Sequence, residues 1–148
     1  MNYYALDMRV SNIDHLNLSV RDFDETVAWY GRVFGFELVE ESTQADGVRF
    51  GVLRAGESML CIYEHAELEY VHCDQLRARG VHAICHFALR VPAANRAEWE
   101  AIVERENLEL KFGGAIDYDN STSWYVNDPT GWSIEVVLWT DDAIQFAG

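Results

Sequence analysis

His15, His86 and Glu135 are the residues on which chemistry can be built. The two histidines stand 71 positions apart in closely matched strings, Ile13-Asp14-His15-Leu16-Asn17-Leu18-Ser19-Val20 and Ile84-Cys85-His86-Phe87-Ala88-Leu89-Arg90-Val91. Glu135 is set in the apolar run Ser133-Ile134-Glu135-Val136-Val137-Leu138. Strand alternation puts Ser133, Glu135 and Val137 on one face, where a carboxylate without a compensating cation is costly. Two imidazoles and one carboxylate, all expected in strand interiors, can hold a divalent metal and leave positions open for substrate or oxygen. Such a cation polarises a carbonyl, acidifies a bound water or, as ferrous iron, binds dioxygen. The donor set suits Fe, Mn, Ni, Co and Zn alike. A lone strand histidine is more often a hydrogen-bonded structural residue than a ligand. The paired placement, with Glu135 in register, argues for a shared metal over a buried polar network.

The elements that must position these residues form a repeat. Behind the first histidine, Asp22 can cap a helix carrying Phe23, Val27, Tyr30 and Val33 on one stripe, stopped by Gly35. Behind the second, Pro92 opens a helix running to Glu106, with Trp99, Ile102 and Val103 as its stripe. Strand patterns then follow at Glu37–Ser42, Val48–Leu53 and Ser58–Tyr63, and again at Leu108–Phe112, Ser121–Val126 and Ser133–Trp139. Gly56-Glu57 and Pro129-Thr130-Gly131 supply the reversals before the last strand of each half. The order is β-α-β-β-β twice, an α+β chain. Residues 1–148 are expected to form a single domain, with a first module over 10–63, a linker over 64–80 in which a short helix fits, and a second module over 81–140.

Composition narrows the partners. Eleven Lys and Arg against 25 Asp and Glu leave a net charge of −14, which repels phosphate backbones and anionic headgroups, so no nucleic acid or membrane surface is expected. Apolar residues at 49% are enough for a packed interior and too many for a disordered chain. Charges break every apolar stretch short of a membrane span, and no secretory leader is visible before Arg9, so a cytoplasmic location is expected. Cys61, Cys73 and Cys85 include no C-x-x-C pair and are expected as free thiols. What remains is a small-molecule substrate or a protein partner.

The duplicated module, the two I-x-H-x-x-L-x-V strands and the ending Tyr125-Val126-Asn127-Asp128-Pro129-Thr130-Gly131-Trp132-Ser133-Ile134-Glu135 resemble the vicinal oxygen chelate superfamily. It includes glyoxalase I, fosfomycin-resistance enzymes, extradiol ring-cleaving dioxygenases and metal-free bleomycin-binding proteins. The resemblance covers roughly residues 10–140 and implies two βαβββ modules forming a curled mixed β-sheet cleft around one metal, with His15, His86 and Glu135 in the recurrent ligand places. Three departures matter. Glyoxalase I has a further carboxylate in the last strand of its first half, where this chain has Cys61; Glu64 is offset by three residues and faces the other side of that strand. Extradiol dioxygenases place a tyrosine ten residues before the glutamate, matched by Tyr125, but also a histidine about eight residues earlier, where this chain reads Ile116-Asp117-Tyr118. Fosfomycin enzymes share the tyrosine, yet the last third of the chain has no Lys/Arg cluster for a phosphonate.

The resemblance implies a divalent-metal enzyme of the isomerase, lyase or dioxygenase kind, with Tyr125 as its catalytic candidate. A packed aromatic with a local hydrogen bond is the plain alternative for Tyr125. The rival function is a metal-free binding protein of the bleomycin-resistance type, holding a flat or cationic ligand in an acidic, aromatic-lined cleft. Trp29, Trp99 and Trp139 are expected in the core, His65, His72 and His82 exposed in or near the linker, and Asp117, Asp119 and Asn120 at the cleft rim. Exposed sheet edges lead us to expect a homodimer.

Overall fold

The computed structural model describes residues 12–81 and 83–140. His82 and the stretch before Arg9 lie outside the described residues. The first module comprises β1 (His15–Val20), α1 (Phe23–Phe34), β2 (Glu37–Thr43), β3 (Arg49–Ala55) and β4 (Ser58–Glu64). After it come α2 (Cys73–Ala78), then β5 (Phe87–Arg90), α3 (Arg96–Arg105, led in by a 3₁₀ turn at Ala93–Asn95), β6 (Ile116–Asp117), β7 (Ser121–Asn127) and β8 (Ser133–Trp139). Two four-stranded mixed sheets result, ordered β1-β4-β3-β2 and β5-β8-β7-β6. In each, the first strand of the module runs parallel to the last and the other pairs are antiparallel. The architecture is the doubled βαβββ arrangement that the repeat leads one to expect.

Local chemistry explains the first helix well. Asp22 accepts a bond from the Glu25 N–H at 2.8 Å, and Asp24 and Glu25 place negative charge in the first turn. Gly35 ends the helix at φ 70°, a left-handed conformation that favours glycine, and donates to the Gly31 carbonyl at 3.1 Å. The expected strand over Leu108–Phe112 does not form. Asn107 turns left-handed at φ 49°, the Leu108 N–H closes back on the Val103 carbonyl to cap α3, and Gly113 closes a turn on Leu110, which leaves Lys111, donating to the Tyr125 carbonyl at 2.9 Å, as the segment's bond to β7. Only the two-residue β6 completes that sheet.

The inner faces of both sheets share one core. Leu18, Val20, Leu53, Leu60 and Ile62 from the first sheet and Trp124, Val126, Ile134, Val136 and Leu138 from the second are buried with Phe23, Tyr30 and Val33 of α1 and Trp99 of α3. Phe34 stacks on Trp99, with ring centroids 5.7 Å apart and planes 9° from parallel. Polar ties join the halves beside it: the Trp132 indole donates to the Ser19 carbonyl at 2.8 Å, Tyr30 to Asp128 at 3.1 Å, and Arg21 to the carbonyls of Pro129 and Thr130. Trp99 is in the core and Trp29 packs against it, but Trp139 falls outside it, because odd-numbered residues of β8 face the other way. Each sheet therefore turns its second face out of the shared core.

Candidate functional site

The outward face of the second sheet gathers the polar chemistry. β7 and β8 pair so that Tyr125 lies opposite Glu135 and Ser123 opposite Val137, all on one face. Glu135 uses both carboxylate oxygens: Oε1 accepts from the Ser123 hydroxyl at 2.6 Å, and Oε2 stands 3.0 Å from His86 Nε2. Its side chain is 17% exposed against 41% for His86, so the pair sits at the floor of an open site. Within the chain, the partners of this carboxylate are the Ser123 hydroxyl and the His86 imidazole.

Aromatic rings frame the pair. The His86 ring meets Tyr125 edge-on at 5.6 Å, and Tyr125 meets Phe112 edge-on at 5.2 Å. Burial, then hydrogen bonding to Tyr118 and the negative charge of Glu135, push the Tyr125 phenol well above its ordinary value. It therefore keeps its proton and can act as a hydrogen-bond donor. Phe112 and Tyr118 are large, exposed and on the loop leading into β7, and Lys111 lies 5.6 Å from the Phe112 ring. Asp117, expected at the rim, accepts from Thr122 at 2.8 Å.

His15 is elsewhere. It opens β1 in the other sheet, paired with Met59, and its Nδ1 stands 2.7 Å from Asp14 Oδ2, with 44% of the side chain exposed. Neither histidine is in a strand interior as expected: His15 is the first residue of β1, and His86 precedes β5. Among the described residues, no three potential His, Cys, Asp or Glu ligand atoms that include His15, His86 or Glu135 lie within 4.8 Å of one another. The structure thus joins His86 to Glu135 and leaves His15 apart within a single chain.

The corresponding face of the first sheet carries different groups at the matching positions. Asn17 pairs with Cys61 where Ala88 pairs with Glu135, so Cys61 occupies the place equivalent to Glu135. Val52 and Phe50 stand where Tyr125 and Ser123 stand in the second module. Burial, aided by Asp14 and Glu40, raises the Cys61 thiol and keeps it protonated. Glu64 is committed to structure, because its Oε1 accepts from the Phe23 N–H at 2.9 Å at the start of α1.

An imidazole and a carboxylate in contact, with a second imidazole on a sheet of equivalent build, have the donor chemistry of a divalent-metal site. Ser123, Tyr118 and Phe112 were not singled out from the sequence. Ser123 carried a usable signal, since it is two residues before Tyr125 and so shares its face. Tyr118 and Phe112 lie in irregular chain with no periodicity to read.

The family model for the Glyoxalase/Bleomycin resistance protein/Dioxygenase superfamily matches residues 12–136. No curated relative matches the sequence. Among solved structures, a glyoxylase/bleomycin resistance protein/dioxygenase domain from Frankia sp. EAN1pec superposes with a TM-score of 0.73 at 16% identity, over 91% of this chain and 96% of that one. A point mutant of the fosfomycin resistance protein FosX from Listeria monocytogenes, complexed with Mn(II) and 1S,2S-dihydroxypropylphosphonic acid, gives 0.68 at 18% identity, over 89% and 95% of the two chains. FosX from Mesorhizobium loti gives 0.61 at 19% identity, over 89% and 93%. At these identities the likeness is one of fold, and it agrees with the doubled βαβββ topology. By the family match over most of its length and by that topology, the chain belongs to the Glyoxalase/Bleomycin resistance protein/Dioxygenase superfamily.

Proposed function

We propose that the protein is a divalent-metal-dependent enzyme acting on a small substrate chelated through vicinal oxygens, by isomerase- or lyase-like chemistry or by ring-cleaving oxygenation. The observation that carries this reading is the His86–Glu135 contact at 3.0 Å on an open sheet face. His86 and Glu135 would hold the cation, with His15 as the third ligand. A bound metal would supply Lewis-acid stabilisation of developing oxygen charge. Around it, Ser123 orients the carboxylate, Tyr125 donates a hydrogen bond to a substrate oxygen, and the Phe112 and Tyr118 rings cover the apolar part of the substrate. Lys111 is the cation beside these rings, which argues against a phosphonate substrate requiring several.

His15 reaches a common ion most simply in a homodimer. Both sheets turn their second face away from the shared core, so the first sheet of one copy can cover the second sheet of another. Metal analysis after chelator-free purification and manganese reconstitution tests the function. About one manganese ion per dimer-completed site is expected in the parent protein, with near-complete loss of manganese in His86→Ala and Glu135→Gln. A reconstituted parent protein without manganese would reject the enzyme.

A metal-free binding protein is the second reading. It is favoured by the separation of His15 from a pair already satisfied by Ser123 and His86, and by exposed aromatics on a chain of net charge −14. His15→Ala separates the two: it leaves ligand affinity intact in a binding protein and weakens metal retention in the enzyme.

A further inference from the structure

A second cluster of ligating side chains lies where α2 meets the approach to β5. His72 caps α2, its Nδ1 accepting from the Asp74 N–H at 3.2 Å. The His72 imidazole, the Cys73 thiol and the Asp74 carboxylate offer ligand atoms that all lie within 4.8 Å of one another. Cys73 Sγ is 3.8 Å from Asp74 Oδ1, and Cys85, in the segment entering β5, is its neighbour in the same cavity wall. His72, Cys73 and Cys85 line a cavity of about 630 Å³ together with Tyr70, Leu76 and Trp132. All three cysteines are free.

We propose that His72, Cys73, Asp74 and Cys85 form a binding site for a thiophilic divalent cation, with zinc the best match. Two thiolates and an imidazole are the donors such an ion prefers, and one carboxylate completes four. Magnesium and calcium, which take oxygen ligands, are a poor match. Metal–ligand bonds of about 2.0–2.3 Å place tetrahedral ligands roughly 3.3–3.8 Å apart, a contraction from the spacing of His72, Cys73 and Asp74, while Cys85, outside that group, brings its thiol in from the cavity wall. On binding, the two thiol protons leave to solvent and the sulfur lone pairs form the new bonds, with no change in oxidation state. The ion would clip α2 to the residue preceding His86 and so fasten the segment that delivers that imidazole. This site does not depend on the reading of His86 and Glu135 as ligands.

Cobalt(II) titration of the protein, reduced with a phosphine, is the test. The expected result is cobalt–thiolate charge-transfer absorption saturating at one equivalent per chain and displaced by zinc. It is lost in Cys73→Ser and Cys85→Ser, retained in Cys61→Ser and His86→Ala, and about tenfold weaker in apparent affinity in Asp74→Ala. In the parent protein, zinc should protect Cys73 and Cys85, but not Cys61, from iodoacetamide, read by peptide mass. No charge-transfer band, a band surviving Cys85→Ser, or a Cys73–Cys85 pair that forms a disulfide but takes up no cobalt when reduced would each overturn the proposal.

Discussion

Both oxygens of Glu135 are engaged, and each retains a lone pair for a ligand. With one held by Ser123 at 2.6 Å and the other by His86 at 3.0 Å, its orientation is fixed before any ligand arrives. Ser123→Ala should therefore lower manganese affinity about tenfold while leaving the fold intact, measured by competition with a chelating dye. Tyr125→Phe should lower kcat/KM about tenfold with metal content unchanged, because it deletes a donor and keeps the ring. Since its phenol is held well above its ordinary value, the parent enzyme should show no alkaline loss of activity near pH 10 assignable to this residue. Glu135 was legible because a charge in an apolar alternating run has few explanations. The separation of His15 from it was not, because spacing along a chain says which face a residue occupies and nothing about how two sheets pack.

The turn joining β7 to β8 is held by Asp128, which is buried and accepts from the Gly131 and Trp132 N–H groups at 2.8 Å each and from Tyr30 at 3.1 Å. Asp128→Ala removes the acceptor of the Trp132 N–H and the Tyr30 hydroxyl, while the Gly131 N–H keeps the Asp128 carbonyl at 2.9 Å, and should cost about 3 kcal/mol in urea unfolding, whereas Asp128→Asn, which keeps an acceptor, should cost about 1 kcal/mol. Burial raises the Asp128 carboxyl above its ordinary 3.8, against the lowering effect of its hydrogen bonds. The folded chain thus holds a proton that the unfolded chain releases. Its contribution to stability is complete below about pH 3.8 and is lost as pH rises through the folded value. The Asn variant should lack that slope. Gly131 in the same turn has φ 111°, and a Cβ there would come within 2.9 Å of the Tyr70 ring, so Gly131→Ala should cost about 2 kcal/mol. Helix α1, its caps and the two reversals were readable from Asp22, Gly35, Gly56 and Gly131, where one residue type answers one backbone need. The false strand at Leu108–Phe112 shows the converse: alternation suggested β structure, while the cap of α3 at Leu108 and a turn between Leu110 and Gly113 took the backbone groups on either side of the bond that Lys111 makes to β7.

At the scale of the molecule, the halves are bound through one core while their chemical faces remain uncovered. Sedimentation at micromolar concentration should give a dimer, and a monomer would remove the route by which His15 reaches Glu135. Mixing His15→Ala with Glu135→Gln protomers gives a sharper check. If sites form between copies, the heterodimer retains one intact site out of two and recovers about half the metal of the parent protein; if they form within a chain, mixing restores nothing.

The duplication is now lopsided. One copy presents serine, tyrosine and glutamate where the other presents Phe50, Val52 and Cys61 at matching lattice points of the sheet. One half is the workbench and the other its wall. Grafting serine, tyrosine and glutamate onto positions 50, 52 and 61 would give the wall the same tools, and the stoichiometry of ion uptake would register whether a second workplace opens there.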